Sequence, residues 1–258
     1  MTASDGQRTR DWDAETYHRV SAPQVAFAGP VIERMGLRGD ETVLDAGCGS
    51  GRVTQMLVER LPRGRVIAVD AAPSMVDLAR ETLAGRRASV LQAELTSLEL
   101  SKQVHAVFSS AVFHWIADHD ALFTSLHAAL LPGGRLVAQC GGEGNIDNLH
   151  EVAAEVSARE PFAEYFSGWA EPWNFARPTE TERRLLAAGF IQAECWLEPF
   201  PVEPPEPLAY LTSVCLGNHL DALPEDMRAG FAEQVLAGCP RPLRLRYVRL
   251  NIEARAAS

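Results

Sequence analysis

The sequence predicts an α/β fold, in which a doubly wound, mostly parallel seven-stranded sheet carries a helical cap inserted after strand 5 and before the last strand. Two observations support this prediction. From residue 42 onward, short β-rich runs alternate with helical patterns, as in parallel sheets covered by helices on both faces. After Cys140 the alternation gives way to helical and aromatic segments, and strand-like runs return before the end of the chain.

The first half of the chain contains five predicted strands. Pro62 closes the helical pattern after the first strand, and Pro73 suits the first turn of the helix after the second. Residues Asp118 to Asp120 are expected to cap the helix after the fourth strand. That helix is expected to end at the "PGG" turn of residues 132–134. The strands are "TVLDA" (42–46), "RVIAVD" (65–70), "ASVLQA" (88–93), "HAVFSSAV" (105–112) and "RLVAQC" (135–140).

The second half is predicted to hold the cap and the last two strands. Residues 145–160 form a helical pattern, and residues 161–178 an aromatic, proline-containing loop. Thr179 and Glu182 have the spacing of a capping box at the start of a further helix. "IQAECWLEPF" (191–200) is the sixth predicted strand, more helix follows between Leu208 and Leu236, and "LRLRYVRLNIEAR" (243–255) is the last strand.

These elements suggest a division of the chain into six segments. The expected segments are an N-terminal helical segment or lid (1–36), a cofactor-binding core (37–140), a cap insertion (141–178), a continuation of the core (179–200), a helical cap (201–241) and a final core strand (242–258).

Composition narrows the classes of partner. A formal charge of −10 disfavours nucleic acid, because phosphate binding depends on clustered lysine and arginine. Five scattered cysteines without a C-x-x-C pair suit reduced thiols, and neither a signal peptide nor a long apolar run is apparent, so we expect a cytoplasmic protein without a membrane partner. The expected partner is a small-molecule substrate, and the oligomeric state is left open.

The stretch "VLDAGCGSG" (43–51) is the strongest local signal in the sequence. A strand that leads through Gly47, Gly49 and Gly51 into a helix brings bare backbone and unpaired N–H groups close to a ligand. Asp70 ends the next strand, where a carboxylate can hold the hydroxyls of a ribose. A dinucleotide site is disfavoured, because its third glycine would fall on Arg52. The pattern therefore predicts a nucleotide-like ligand.

This stretch, with Asp45 ahead of the glycines, resembles the first motif of the class I S-adenosylmethionine-dependent methyltransferases, which have a Rossmann-like fold. The resemblance runs from about Trp12 over nearly the whole chain. It implies S-adenosylmethionine as cofactor, with the glycine loop on its methionine part, Asp70 on its ribose and Met75 beside its adenine. Glu94 stands where the family usually has Asp. The implied cofactor-binding residues are Gln24, Asp45, Gly47, Cys48, Gly49, Gly51, Asp70, Ala71, Met75, Glu94, Leu95 and Ser110.

Within this superfamily the chain is similar to the trans-aconitate methyltransferase group. The matching stretches are "DWDAETYHRVSA" (11–22), "FHWIADHDALF" (113–123) and "YVRLNIEAR" (247–255). A malonyl carrier-protein methyltransferase of biotin synthesis shares much of the pattern. Both kinds of enzyme esterify carboxylates, so the resemblance implies O-methylation of a small acid such as trans-aconitate. The alternatives are methylation of a phenol, an amine or a carbon centre, and a regulator that binds the cofactor without catalysis.

The segment "FHWI" after the fourth strand contains the candidate catalytic residue, His114. It could orient a substrate oxygen or remove a proton, or it could simply pack at the strand end. Residues 114–120 lack a helix-spaced metal motif, and we expect no metal. Arg241, Arg244 and Arg246 lie close together, but strand alternation leaves the face of the last two open. The candidate substrate-binding residues are Trp115, Trp169, Trp173, Arg177 and Tyr210, with Phe175 as a further wall of the site.

Overall fold

A computed structural model describes residues 22–258, with side chains from Phe27 onward. Its single sheet has seven strands in the order β3-β2-β1-β4-β5-β7-β6. Strands β1 to β5 are parallel to one another, and β7 runs antiparallel to both of its neighbours. The predicted fold class, a mostly parallel seven-stranded sheet, is therefore confirmed. The N-terminal part of the predicted lid, up to residue 21, lies outside the described residues.

The strands and helices alternate along the chain as the sequence pattern predicts. Short 3₁₀ turns follow β3 at Leu95–Ser97 and β4 at Phe113–Trp115. The strands are β1 Thr42–Ala46, β2 Arg65–Asp70, β3 Ala88–Gln92, β4 Val104–Ser110, β5 Leu130–Gly141, β6 Phe190–Val202 and β7 Leu245–Ala256. The helices are α1 Ala22–Arg34, α2 Arg52–Arg60, α3 Pro73–Thr82, α4 His119–Ala129, α5 Asp147–Ser157, α6 Pro178–Ala187, α7 Pro207–Tyr210, α8 Gly217–Asp221 and α9 Glu225–Gly238.

Helices cover both faces of the sheet, because successive side chains of each strand point to opposite sides. Leu44 packs in one buried cluster with Leu122 and Phe123 of α4. Its neighbour Val43 packs in a second cluster on the other face, together with Val31 of α1. The near-continuous apolar run of β1 therefore contributes buried side chains to both faces of the sheet.

A third buried cluster forms the cap over the carboxyl ends of the parallel strands. It joins side chains of α5, of the aromatic loop and of residues 207–243 to the first residues of β7. Phe162 and Phe231 meet edge to face in this cluster, with ring centroids 5.1 Å apart. Helices inserted after β5 and before β7 are thus observed where the sequence predicts them. None of the helices described is long and apolar enough to cross a membrane.

Helix starts test two of the predicted caps. The Asp118 side chain accepts a hydrogen bond from the Ala121 backbone N–H at 2.9 Å, so the predicted cap of α4 is confirmed. The capping box of Thr179 and Glu182 is wrong. Helix α6 begins at Pro178, which is favoured in a first turn, and the Glu182 carboxylate instead accepts a hydrogen bond from the Cys195 backbone N–H of β6.

Several predicted boundaries also differ from the structure. Strand β5 begins at Leu130, directly after the helix that ends at Ala129, so the "PGG" of residues 132–134 lies within the strand. Strand β4 ends at Ser110 rather than residue 112, because Ala111 has a φ of +63°, outside the extended region. Between Leu208 and Leu236, where more helix was predicted, the structure has three helices and a π-helical turn at Leu211–Cys215, with a break before Pro224. Proline lacks a backbone N–H and therefore suits the start of α9 rather than the interior of one long helix.

Candidate active site

The glycine loop, residues 47–51, leaves β1 in a backbone conformation that side chains disfavour. Gly47 and Gly49 have φ values of +84° and +52°. The Gly47 and Cys48 backbone N–H groups both donate to the Val69 carbonyl oxygen, at 2.8 and 2.9 Å, which holds the loop against the end of β2. A Cβ on Gly47 would overlap the Val112 side chain, whereas one on Gly49 would meet no atom of the described part of the chain within 4 Å. The loop is therefore packed on one side and open at Gly49.

Asp70 links the glycine loop to the end of β2. One of its carboxylate oxygens accepts from the Gly49 backbone N–H at 2.8 Å, and the other accepts from the Ala72 N–H at 3.0 Å. Burial raises the pKa of Asp70, and the nearby Glu94 carboxylate adds to this shift. Each carboxylate oxygen can accept a further hydrogen bond, so Asp70 can bind a diol while it holds the loop.

Asp45 is a buried carboxylate at the start of the loop. It is 1% exposed and accepts a hydrogen bond from Thr54 Oγ1 at 2.7 Å. Burial, opposed by that hydrogen bond and reinforced by the charge of Asp70, raises the pKa of Asp45 to about 7. A cationic group of a ligand beside it would favour its ionised form.

The other predicted cofactor residues lie around the same strand ends, with one exception. Met75 is buried in the first turn of α3, Leu95 is buried in the 3₁₀ turn after β3, and Glu94 precedes that turn and is exposed. Ala71 follows β2, and Cys48 is a buried free thiol within the loop. Gln24 lies in α1, but its side chain is outside the part that the structure describes.

Ser110, at the end of β4, has a hydroxyl oxygen that is buried and has no hydrogen-bond partner among the described residues. Such a group costs free energy unless a ligand or water satisfies it. An unsatisfied hydroxyl, a buried carboxylate at Asp45 and open space at Gly49 suit a ligand with both an ammonium group and polar acceptors. The glycine loop, Asp45 and Ser110 fit the amino acid part of S-adenosylmethionine, and Asp70 fits its ribose.

A second feature, which we call the acceptor pocket, adjoins this site and is about 50 Å³ in volume. Ala111 lines it directly after Ser110, and Val112, which follows, contacts the glycine loop. Segment 110–112 therefore separates the cofactor site from the pocket. The pocket is lined by Phe27, Ala111, His114, Trp115, Asn145, Ile146, Trp173, Phe175, Val214, Cys215, Tyr247 and Arg249.

Backbone strain also marks the acceptor pocket. Ala111 and Ile146 have φ values of +63° and +50°, and they are the two non-glycine residues with positive φ within the described chain. Both line this pocket. Such conformations are unfavourable for residues with a Cβ, above all for a β-branched one, and they concentrate at functional sites. The strain thus points to the same place as the unsatisfied Ser110 hydroxyl.

A larger open groove, of about 940 Å³, lies at the other end of the sheet between α1 and β6. Arg135 of β5 and Glu41, which precedes β1, both line this groove. Ligands of open α/β sheets bind at the carboxyl ends of the strands, so volume alone is a poor guide here. We assign the chemistry to the smaller pocket.

His114 lines the acceptor pocket and is buried, with 8% of its surface exposed. Its Nδ1 accepts a hydrogen bond from the Gly141 backbone N–H at 3.3 Å, which places the ring proton on Nε2. Burial, with smaller effects of Arg249 and His119, lowers the pKa of His114 well below its usual value. The ring is therefore neutral at physiological pH, and it stacks on Phe175 with centroids 5.8 Å apart.

Arg249 is the buried cation of the pocket, and the sequence reasoning did not select it. It lies in β7, is 3% exposed, and its guanidinium carbon sits 4.8 Å from the centroid of the Phe27 ring. Tyr247, two residues earlier on the same face, also lines the pocket. A charged residue that continues the alternation of Leu245 and Tyr247 along the strand was the signal that could have identified it. Arg244 and Arg246, which were considered, are both exposed, and Arg244 pairs with Glu203.

The predicted substrate residues divide into two groups. Trp115 and Trp173 line the acceptor pocket, with ring centroids 6.1 Å apart. Trp169, Arg177 and Tyr210 are not among its lining residues. Trp169 contacts His219, and Arg177 is exposed and pairs with Glu143 at 2.6 Å. Tyr210 is buried behind the pocket, where its hydroxyl bonds that of Tyr247 at 3.0 Å.

His119 and Asp120, in the run of residues 114–120, make structural contacts. His119 Nε2 bonds the Phe113 carbonyl oxygen at 2.9 Å, and Asp120 lies 3.7 Å from Arg184. Within residues 22–258, no group of three or more His, Cys, Asp or Glu side chains has an arrangement that could hold a metal ion.

Comparison with known proteins places this arrangement in a family. A family model described as a methyltransferase domain matches residues 43–134. A trans-aconitate 2-methyltransferase of Methylobacterium nodulans is 30% identical over 191 residues, 72% of this chain and 67% of that protein. Another, of Rhodopseudomonas palustris, is 34% identical over 62% of each chain, so the chain matches less than two thirds of that relative.

A solved structure with a bound cofactor has a similar fold. Phosphoethanolamine N-methyltransferase 2 of Haemonchus contortus, in complex with S-adenosyl-L-methionine, has a TM-score of 0.61 and 18% identity over 95% of this chain and 57% of that one. At this identity the likeness concerns the fold alone. The sequence matches, together with a glycine loop, a buried carboxylate and a strand-end aspartate in the expected places, lead to one conclusion. The chain belongs to the class I S-adenosylmethionine-dependent methyltransferases.

Proposed function

We propose that this protein methylates a carboxylate oxygen of a small organic acid, with S-adenosylmethionine as the methyl donor. The observation that carries the proposal is the Arg249 guanidinium, which is buried in an aromatic pocket directly beside the cofactor site. A guanidinium binds carboxylates in a planar, bidentate manner, and the interaction is strong where water is excluded. The acceptor pocket thus has the charge and the walls that a carboxylate requires.

The protonation state of His114 favours the same class of acceptor. A carboxylate is ionised at neutral pH and needs no general base, whereas a phenol or an ammonium must first lose a proton. His114 has a lowered pKa, and its Nδ1 already accepts the Gly141 N–H. It is therefore a poor base on that side, and its Nε2–H can donate a hydrogen bond to an acceptor oxygen.

The chain's residues chiefly bind, orient and desolvate the acid. Arg249 holds a carboxylate, His114 orients one of its oxygens, and Ser110 with Asp45 holds the amino acid part of the cofactor. S-adenosylmethionine supplies an electrophilic methyl group when bound. Phe27, Trp173 and Phe175 keep water away from the acceptor, which strengthens the contact with Arg249.

The size of the pocket and the names of the relatives suggest the kind of acid. A cavity needs about 10 to 15 Å³ to hold one water molecule. The acceptor pocket, at about 50 Å³, therefore has room for about four waters or one carboxylate group. Several relatives are named trans-aconitate 2-methyltransferases, whose substrate is a tricarboxylate. We therefore infer a polycarboxylic acid that places one carboxylate in the acceptor pocket and the remainder outside it.

An activity panel tests the proposal. Purified protein and S-adenosylmethionine are incubated with mono-, di- and tricarboxylic acids, with phenols and with amines, and S-adenosylhomocysteine formation is followed. The product of any active acid is examined by mass spectrometry for a base-labile methyl ester. We expect turnover with di- or tricarboxylic acids, and a rise in KM of about 100-fold in Arg249→Met, because a buried charge pair is lost.

Binding of the cofactor alone provides the control. Titration calorimetry should give the same cofactor Kd for Arg249→Met as for the wild type. Turnover restricted to phenols or amines would refute a carboxylate acceptor. Tight cofactor binding without turnover on any compound of the panel would favour a non-catalytic regulator.

A further inference from the structure

A row of buried polar side chains runs from Arg249 across the sheet to α1. Arg249 Nε donates to Gln139 Oε1 at 3.4 Å, and Gln139 Nε2 donates to Asn251 Oδ1 at 2.8 Å. The same Asn251 oxygen accepts from an Arg34 N–H at 2.8 Å, and Asn251 Nδ2 donates to the Glu198 carboxylate at 3.1 Å. Gln139, Arg249 and Asn251 are 5%, 3% and 0% exposed. We call this row the amide relay.

The hydrogen bonds of the amide relay determine how each amide is oriented. The Asn251 carbonyl faces two donors, and its NH₂ faces the Glu198 carboxylate, so a flipped amide would lose all of these bonds. Once Asn251 is fixed, Gln139 must present its NH₂ to Asn251 and its carbonyl oxygen to Arg249. The relay therefore holds one hydrogen-bond acceptor in a constant position behind the guanidinium.

The sheet register explains why these residues meet. Gln139 of β5 pairs directly with Asn251 of β7, and Arg249 is two residues from Asn251, on the same face of the strand. Arg249 pairs with Glu198 of β6 in the same way. The relay is thus built into three adjacent strands, whose positions the backbone ladder already fixes.

We propose that Gln139 is a positioning residue, which orients the Arg249 guanidinium for a substrate carboxylate; this inference rests on the proposed function. Holding Nε fixes the plane of the guanidinium, and a bidentate contact with a carboxylate depends on that plane. An arginine without this acceptor would lose more rotamer freedom when the acid binds. Gln139 itself does not line the pocket, so it acts through Arg249.

Helix α1 contacts Arg249 and the amide relay through two of its side chains. Phe27 lies beneath the guanidinium of Arg249, and Arg34, seven residues further on, binds Asn251 and pairs with Glu253 at 3.1 Å. Residues seven apart lie on one helical face. One face of α1 therefore contacts both Arg249, through Phe27, and the amide relay, through Arg34.

A double-mutant cycle tests the inference. Gln139→Met, Arg249→Met and the double variant are compared for KM and kcat with the acid found active for the wild type, and for cofactor Kd. We expect Gln139→Met to raise KM about tenfold, with kcat and cofactor Kd changed by less than about twofold. In the Arg249→Met background the same substitution should raise KM by less than about twofold. Gln103→Met is the matched control, because Gln103 is exposed and donates to Ala128.

The outcomes separate this inference from the proposed function. If the wild type methylates no carboxylic acid, the proposed function fails. If it does, and Gln139→Met leaves KM unchanged or raises KM equally in both backgrounds, the positioning role is refuted. Should Gln139→Met not fold, Arg34→Gln at the far end of the relay is expected to raise KM about threefold through Asn251, and an unchanged KM would likewise refute the inference.

Discussion

The cofactor site and the acceptor pocket differ in how they are built. The candidate cofactor site uses chain segments between Asp45 and Ser110, which are successive strand ends. It consists of the glycine loop, whose Gly47, Cys48 and Gly49 N–H groups are bonded within the protein, and of mostly short side chains. The acceptor pocket combines α1, the 3₁₀ turn after β4, the cap and β7, and consists of large side chains. Its cation, Arg249, lies 138 residues after Ala111 in the sequence, and the two residues line one pocket because β5 pairs with both β4 and β7.

Because of this difference, the cofactor site can be identified from the sequence, whereas the acceptor pocket cannot. A glycine loop leaves a trace in sequence because few residues can replace glycine at positive φ. A pocket of aromatic rings and one arginine leaves no such trace, because any of many apolar positions could supply a ring. We expect changes in the cofactor site to alter cofactor affinity and folding, and changes in the pocket to alter KM for the acid.

The largest expected effect comes from Gly47→Ala. Its Cβ would overlap the Val112 side chain at a φ of +84°, so both overpacking and backbone strain destabilise the fold. We expect the free energy of unfolding to fall by about 2 to 5 kcal/mol, as measured by urea denaturation. Gly49→Ala is the matched control, because its Cβ meets open space: it should lose only about 1 kcal/mol but bind S-adenosylmethionine at least about tenfold more weakly. Equal unfolding free energies for the two variants would contradict this description of the loop.

Asp70→Ala should weaken S-adenosylmethionine binding by about 100-fold, because two charge-assisted contacts to a diol and the anchor of Gly49 are lost together. Titration calorimetry measures the change in Kd. Asp70→Asn retains one acceptor oxygen and should lie between the wild type and Asp70→Ala. An unaltered affinity in Asp70→Ala would mean that the ribose binds elsewhere.

The affinity for the cofactor should fall by about tenfold between pH 8 and pH 6. Asp45 has a pKa of about 7 in the free protein, so below that pH it is protonated and cannot pair with a cation. The same raised pKa means that ionisation of Asp45 lowers stability as the pH rises from its unfolded value, 3.8, to about 7. Kd is measured across the pH range for the wild type and Asp45→Asn. A flat profile for the wild type, or the same slope in both proteins, would exclude Asp45 as the titrating group.

The smallest effect is expected for Arg177→Ala. Arg177 was predicted to bind substrate, but it is exposed and paired with Glu143, and exposed ion pairs contribute little. We expect KM for the acid to change by less than about twofold. A tenfold rise would show that the cap brings Arg177 to the substrate during turnover, and the division between the two sites would need revision.

Local patterns anticipated most of the fold, and they selected several candidate residues that the structure brings together at the strand ends. The alternation of strands and helices predicted the sheet, and Pro73 and Asp118 marked helix starts, because these signals act within one turn of the chain. The Thr179 capping box failed for the opposite reason: Glu182 was drawn into a tertiary contact with β6. Arg249 was missed because its burial depends on strand pairing and on α1, neither of which a local pattern reveals.

The sequence by itself determined the class of fold, the glycine loop and the position of Asp70 at the end of β2, since backbone conformation and hydrophobic period depend on neighbouring residues. Tertiary structure decided which arginine became buried, which tryptophans faced the pocket and which tautomer His114 adopts. Those outcomes depend on contacts between residues that lie on different elements, from 27 positions apart for His114 and Gly141 to 110 for Arg249 and Gln139. In such contacts the exclusion of water, rather than local preference, sets the strength of a charge.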